Sequence, residues 1–465
     1  MNNNAQKFQE DAARICADST HRQIIGTALD KYAQGRDKKI AEFQNWEQAR
    51  ESAAQIKQEG LDDMEALLRT LTKKLTKRGT HVYRAPTGAD ACRIVLNILK
   101  QNGAKTMVKS KSMTSEEIHL NEALEKEGYR PIESDLGEFI VQLRQEPPYH
   151  IVFPAMHLTR YQISDLFRDK LGSEPTENPE ELTMIARKNL RREYVQADVG
   201  FTGANFAVAE TGMISVTENE GNSRLSASLP KIMITLIGIE KVVPRMQDLS
   251  LLLPMLATVG AAQSISCYNT LYSGPRQPDE CDGPEEYHVI LLDNGRSRLA
   301  KDSTFREILR CIRCGSCINV CPIYRNVGGH AYNATYPGPI GSVLMPRLFD
   351  LQTYKHLSFA CSLCGACRDM CPVKINLPHL LLKNREAAST TQPKFFEKLA
   401  FKAMSLLFNK PFFWKWGKRM GWIGQKFHPL IEGSVIDPAQ CWTATRKAPK
   451  LKWKSFKDLW KKHSK

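Results

Sequence analysis

The sequence predicts two fold classes in one chain, an α/β domain and all-α parts, and three observations carry that expectation. From about residue 80, short apolar strands alternate with amphipathic helical stretches, an order that builds a mostly parallel sheet covered by helices on both faces. Ahead of it, residues 5 to 78 keep the three-and-four spacing of helices. Behind it, a run of four cysteines occurs twice, forty positions apart, and the residues between read as helix, loop and helix.

In the first part Phe8, Ala12 and Ile15, and later Met64, Leu67, Leu68, Leu71 and Leu75, recur on one helical face. Gly60 and Gly79 read as breaks. Because the pattern stops within three turns, residues 1–79 are expected to be a helical arm rather than a coiled coil.

The α/β domain is expected over 80–297. His81–Tyr83, Thr106–Lys109 and His150–Phe153 are its first candidate strands, with 89 to 101 and 115 to 127 as helices between them. Thr114 to Glu117 reads as a capping box that opens a helix after the basic loop Lys109 to Ser112. Such a loop can hold an anion; a plain capped helix beside solvated lysines has the better base rate. From Thr202 to Val216, small residues and glycines flank an apolar strand pair. Glu210, Glu220, Asn222 and Arg224 fall near the ends, where open α/β sheets place ligand crevices. A pocket for a small polar ligand and a purely structural set of glycines with an Arg–Glu pair account for these residues equally well. Residues 231 to 239 form a near-continuous apolar run, as in a central parallel strand. Tyr287–Leu292 is the expected last strand, and Asp293 to Ser297 the linker out of the domain.

The first cysteine run is Cys311, Cys314, Cys317 and Cys321 before Pro322, and the second is Cys361, Cys364, Cys367 and Cys371 before Pro372. C-x2-C-x2-C-x3-C-P is the run by which bacterial two-cluster ferredoxins hold [4Fe-4S] clusters, with the fourth cysteine serving the other cluster. Cluster 1 would therefore take Cys311, Cys314, Cys317 and Cys371, and cluster 2 would take Cys361, Cys364, Cys367 and Cys321. Gly315 and Gly365 let the backbone approach without a Cβ. Pro322 and Pro372 are expected to turn the chain off a helical path, so that the fourth cysteine points elsewhere. Structural zinc uses four ligands in two short pairs and fits two complete runs poorly. The gap between the runs is too long for a compact βαβ ferredoxin, so an α-helical ferredoxin domain is expected over 298–386.

A chain of 465 residues has room for several cores. Of 13 cysteines, the five outside the runs (Cys16, Cys92, Cys267, Cys281 and Cys441) are scattered singly, as reduced thiols in a cytoplasmic protein would be. No apolar run reaches the ~18 residues that span a bilayer, and the polar start Met1-Asn2-Asn3-Asn4 is no signal peptide. The net charge of +15 is local: from residue 387 onward there are 17 Lys and Arg against 4 Asp and Glu, which leaves +2 for everything before. No nucleic-acid-binding fold accompanies that charge. The basic region 387–465 is instead rich in rings, among them Phe412, Phe413, Trp414, Trp416 and Trp422. Trp453, Phe456 and Trp460 are spaced as one face of a basic amphipathic helix. Partner docking, peripheral contact with the inner face of the membrane, and a solubilising tail are the three readings.

Beyond the cysteine runs, the stretches Thr202-Gly-Ala to Glu210-Thr-Gly, Glu220-Gly-Asn to Arg224, and Gly328-Gly-His-Ala to Tyr336-Pro-Gly-Pro-Ile-Gly-Ser stand in a fixed order. In these the chain resembles the lactate utilisation protein B family over nearly its whole length. The resemblance implies an N-terminal domain similar to sugar-phosphate isomerase and CoA-transferase folds, then an α-helical ferredoxin module and the family's own C-terminal region. It also implies a role in oxidising L-lactate to pyruvate beside two other lactate utilisation subunits, one cysteine-rich and one with a related α/β domain, with a quinone as the acceptor to test. A pair of iron-sulfur clusters supplies neither a base nor a hydride acceptor, and no dinucleotide fingerprint follows any candidate strand. The expected role is thus electron transfer. The alternatives are a substrate-binding oxidoreductase acting on a small carboxylic acid through Arg224 and the Lys109 to Ser112 loop, and a scaffold whose clusters are structural.

Overall fold

The computed structural model describes residues 3–391, 395–434, 437, 440–443, 446–447 and 449–463. Met1, Asn2 and the side chain of Cys441 lie outside the described residues. The chain forms two compact units, Met1–Ala388 and Ser389–Lys465. The arm, the α/β domain and the cysteine module, separable by sequence pattern, share the first.

Four helices open that unit: Asn3–Ala17, Ser19–Ile40, Trp46–Asp62 and Met64–Lys77. Asp18 and Asn45 cap the second and third by accepting the backbone N–H groups of His21 and Gln48. Gly79, with φ of +89°, does end the fourth helix. Gly60 breaks nothing. It lies inside the third helix because a Cβ there would stand 2.7 Å from the Val242 carbonyl oxygen.

Ten strands follow: β1 (His81–Ala85), β2 (Thr106–Lys109), β3 (Arg130–Glu133), β4 (Val199–Thr202), β5 (Phe206–Val208), β6 (Met213–Glu218), β7 (Ile232–Gly238), β8 (Val242–Val243), β9 (Tyr268–Tyr272) and β10 (Glu286–Leu292). Six of them form an all-parallel sheet in the order β1-β10-β7-β4-β2-β3, and β8-β5-β6-β9 form a second sheet. The apolar pair read around Thr202 to Val216 is β5 and β6, which pair antiparallel in the small sheet, whereas β4 just before them belongs to the main one. β7 is buried along its whole length. Its alternate residues serve different cores, Ile232, Ile234 and Leu236 packing with Val95, Ile98 and Leu124 on one face while Met233 and Ile237 face the other. That second face shares one core with Leu68, Leu71 and Leu75 of the arm, with Ile308, Tyr336 and Ile340 of the cysteine module, and with Phe206, Ile214 and Leu252 of the domain itself.

Three local expectations are corrected. His150 to Phe153 is not a strand: His150 Nδ1 accepts the N–H groups of Val152 (3.0 Å) and Phe153 (3.2 Å), a local bond that competes with a ladder, and Pro154 follows. The helix at Met113–Glu117 is capped by Ser112, whose hydroxyl accepts from Ser115 N–H. Glu117 turns away to an ion pair instead of closing a box on Thr114. Asp293 to Ser297 is no loose linker, since Asp293 N–H bonds the Ala85 carbonyl and Arg296 is fully buried.

The second unit contains the helices Phe395–Asn409, Pro411–Phe427, Gln440–Thr443 and Phe456–His463. Phe412, Phe413, Trp414 and Trp416 are exposed, and Lys426 lies 4.0 Å over the Trp422 ring. Trp453 precedes the last helix rather than sharing a face with Phe456 and Trp460. The Ser455 hydroxyl accepts Asp458 N–H while Asp458 accepts Ser455 N–H, so the helix starts only there.

Candidate iron-sulfur centres and the cavity beside them

Both cysteine runs fold through the same backbone turns. Arg313 and Gly315 in the first run have φ of 59° and 76°, and Leu363 and Gly365 in the second have 56° and 89°. In each run this left-handed pair swings the chain round between the first and third cysteines. It also aims a backbone N–H at the first sulfur: Arg313 N–H to Cys311 Sγ at 3.4 Å, and Leu363 N–H to Cys361 Sγ at 3.3 Å. Short helices, Ser316–Asn319 and Ala366–Asp369, carry the third cysteines. Pro322 does not turn the chain off a helical path. It is the first residue of the helix Pro322–Val327, a position where a missing N–H is harmless, and Cys321 stands at its N-cap. Beyond Pro372 the chain turns through Lys374 (φ 51°), and Ile375 N–H meets Cys371 Sγ at 3.4 Å.

These turns gather the eight sulfurs into two hollows. One is lined by Cys311, Cys314, Cys317 and Cys371 with Ile340, Val373 and Ile375. The other is lined by Cys321, Cys361, Cys364 and Cys367. All eight are free thiols. Burial and then the neighbouring sulfurs push Cys367 up to about 12; burial pushes Cys371 up to about 11. Four thiols crowded together are a poor hydrogen-bonding core but a good metal cage, because bound metal replaces the protons and compensates the thiolates. With N–H donors to sulfur and apolar walls, this donor set fits an iron-sulfur cluster in each hollow.

The first hollow differs from the second in its surroundings. Arg313, whose counterpart is Leu363, reaches Glu240 Oε1 at 3.3 Å and lies 4.9 Å over the Tyr336 ring. Arg296 bonds Glu240 Oε2 at 2.6 Å and both Glu117 oxygens at 2.8 Å, and the Tyr336 hydroxyl donates to Glu117 at 2.8 Å. Burial alone would push Glu240 up, but Arg296 and then Arg313 overcome it and hold the carboxyl at about 2. Lys57 donates to the Glu240 carbonyl and Lys241 to the Ala204 carbonyl, each at 2.6 Å, and burial brings both down to about 8. Four cations against two carboxylates leave a surplus of positive charge beside the Cys311 run. A cluster whose four thiolates outweigh its core, with a formal charge of about −2, is compensated by that surplus.

Against this hollow lies a cavity of about 320 Å³ at the carboxyl ends of the main-sheet strands. Ser110 to Thr114 after β2, Gly203 to Asn205 after β4, Thr217 to Asn222 at the end of β6 and Lys241 after β7 line it, and so do Arg313 and Cys314. Of the four residues expected to share a pocket, Glu220 and Asn222 are in this wall. Glu210 and Arg224 are not: Glu210 accepts the Met246 N–H at 2.8 Å, and Arg224 lies 4.9 Å over the Tyr268 ring. Within the basic loop, Ser110, Lys111 and Ser112 line the cavity, while Lys109 is buried behind it on Glu133 at 2.5 Å. Sequence reasoning missed Asn205, Lys241 and the Glu117–Arg296–Glu240 network. The available signal was Glu240-Lys241, two charges that close the near-continuous apolar run 231 to 239. Elsewhere, Glu146, His157 and His330 bring one ligand atom each within 4.8 Å of one another. His157 there already bonds Glu146 at 2.8 Å, and His330 bonds the Pro147 carbonyl at 2.8 Å.

Known proteins agree with this organisation. The LUD domain family model matches residues 68–292, and that of the 4Fe-4S dicluster domain matches residues 307–375. Lactate utilization protein B of Bacillus velezensis is 42% identical over 98% of this chain and 97% of its own. Lactate utilization protein B 2 of Bacillus mycoides is 42% identical over 99% and 98%. A crystal structure of a DUF162 family protein from Deinococcus radiodurans overlaps 49% of this chain and 98% of its own, with 13% identity and a TM-score of 0.29, a likeness too distant to carry an inference. The cofactors are accordingly two [4Fe-4S] clusters. An α/β LUD domain joined to a dicluster module, matched nearly end to end by these relatives, makes the chain a member of the lactate utilisation protein B family.

Proposed function

We propose that the chain acts in lactate utilisation as the iron-sulfur electron-transfer subunit of a complex that oxidises L-lactate to pyruvate. Cys311, Cys314, Cys317 and Cys371 hold cluster 1, and Cys361, Cys364, Cys367 and Cys321 hold cluster 2. The clusters supply one-electron steps; the protein's own part is to hold them in fixed order and to surround cluster 1 with Arg313, Lys57 and Lys241. The observation that carries this reading is the interleaving of the two runs, since a shared set of ligands ties the two centres into one short conduit. Two further subunits, one cysteine-rich and one with a related α/β domain, complete the complex. A quinone is the acceptor, and the basic C-terminal region provides a peripheral contact with the inner membrane face. No helix among the described residues is long and apolar enough to cross a membrane.

The test is purification without oxygen. About eight iron and eight sulfide per chain are expected, with both clusters cycling reversibly and with lactate-dependent quinone reduction once the three subunits are combined. Zinc without sulfide would sink the assignment, and clusters that do not cycle would favour a scaffold. The reading of the chain as a substrate-binding subunit is favoured by one observation, the cavity whose wall includes Cys314.

A further inference from the structure

The cavity beside cluster 1 contains hydrogen-bond donors that the protein leaves unspent. Among the described residues Lys241 has one hydrogen-bond partner, the Ala204 carbonyl, although an ammonium carries three N–H donors. Asn205 and Asn222 each use the side-chain oxygen to accept a backbone N–H, those of Thr217 and Ser223, both at 2.8 Å. Neither amide NH2 has a protein partner among the described residues. The acids of the same wall are already engaged: Glu218 accepts from Ser223 N–H (2.6 Å) and Arg224 N–H (3.0 Å), Glu220 from Leu136 N–H (3.0 Å), and Asp135 from Gly137 N–H (3.0 Å). Ile151, Val152, Phe153 and Leu256 supply an apolar wall.

Resting on the electron-transfer reading, we infer that this cavity binds a small monocarboxylate, its carboxylate held by Lys241 Nζ and the side-chain amides of Asn205 and Asn222, in a wall shared with the cluster ligand Cys314. Unspent donors call for an acceptor, and a cation with one carbonyl for a partner calls for an anion. The charge of that anion follows from its neighbours. Arg313 is committed to Glu240, and Lys111 to the Val152 carbonyl at 2.8 Å and Glu138 at 3.8 Å, so Lys241 is the cation left over, and Asp135, Glu218 and Glu220 in the same wall repel a dianion such as phosphate. The apolar side chains accommodate a short carbon end. At about 320 Å³ the space sits at the lower end for ligand pockets, roughly 300 to 1,000 Å³. Burial, Arg313 and Arg296 bring Lys241 down to about 8 against the pull of Glu240 and Glu117. A bound anion raises it, so affinity is intact below that pH and falls above it.

The experiment titrates the anaerobic full-length holoprotein with L-lactate, pyruvate and, in a separate arm, inorganic phosphate. It follows binding heat and the electron paramagnetic resonance of each reduced cluster. Saturable carboxylate binding that alters the cluster 1 signal and spares cluster 2 is expected. Lys241→Met should weaken it about tenfold to a hundredfold, with the affinity referred to the measured content of cluster 1. Asn205→Ala should weaken it less, and provides the second reading if Lys241→Met does not fold. Absence of saturable binding, wild-type affinity in both variants, or phosphate binding as tightly as carboxylate overturns the site. Reduction and reoxidation of both clusters in the same samples tests the electron-transfer reading separately. Clusters that cycle beside an inert cavity refute the site alone, and a carboxylate that binds beside clusters that do not cycle refutes the conduit.

Discussion

Cys321 stands at the N-cap position of the helix Pro322–Val327, yet the hollow it lines is made by the cysteines of the other run, Cys361, Cys364 and Cys367. Cys321→Ser is therefore expected to damage cluster 2 and leave cluster 1 nearly normal. Magnetic resonance of the reduced protein reads this directly: coupling between the clusters should collapse to the signal of one intact centre, and a lesion confined to the Cys311 run would refute the crossing. Arg313 is the second informative residue. It occupies the same left-handed turn position as Leu363, so Arg313→Leu fits the backbone and removes only the buried charge. At an effective dielectric of about 20, losing one such charge lowers the cluster 1 potential by on the order of tens of millivolts. Potentiometric titration that moves cluster 2 instead, or neither, would show that the cations beside Cys311 are merely structural. The cysteines were legible in the sequence because their chemistry is local in spacing. Glu117 and Arg296 were not, since their pairing joins residues 179 positions apart and has no local signature.

At the scale of elements, periodicity located the strands β1, β2, β7 and β10 and the arm helices, because burial of one face repeats along the chain. It failed where a single side chain overrides the pattern. His150 ties up the N–H groups that a strand would have offered, and Ser455 starts the last helix beyond Trp453. Gly60 is the most instructive case. Helix propensity alone favours alanine there by about 1 kcal/mol, but the added Cβ would press on the Val242 carbonyl of β8 at 2.7 Å. Backbone cannot step aside as a flexible side chain can, and overpacking of this kind costs about 1–3 kcal/mol. Gly60→Ala should therefore destabilise the protein rather than stabilise it. Thermal unfolding of the holoprotein checks the sign, and a raised midpoint would mean that the helix can shift away from β8.

For the whole molecule, composition and pattern indicated the order of parts but not which parts share a core. Sequence periodicity reports that a face is apolar and is silent on what covers it. Here the arm and the cysteine module join the core on the second face of the sheet, through Leu71, Leu75, Ile308 and Ile340. Arg50 of the arm also donates to the carbonyls of Cys371 (2.9 Å) and Arg368 (3.0 Å), and Lys374 pairs with Glu47 and Glu51. The cluster 1 hollow is thus braced from the arm on one side and by Glu240 and Arg296 of the sheet domain on another. A polypeptide of residues 298–388 alone lacks both braces and leaves Ile308, Tyr336 and Ile340 uncovered, so it should fail to retain two clusters. A chain ending at Ala388 keeps every brace of the first unit and should hold about eight iron per chain. The shorter chain lacks the basic, ring-rich unit, and on the proposed membrane contact it is expected to lose a salt-sensitive binding to anionic lipid vesicles that the full chain shows. Iron content of the two polypeptides, and vesicle sedimentation of the 1–388 protein beside the full chain, separate these effects. An isolated 298–388 segment that carries both clusters would show the module to be self-sufficient, and unchanged lipid binding by the 1–388 protein would place the membrane contact on the first unit.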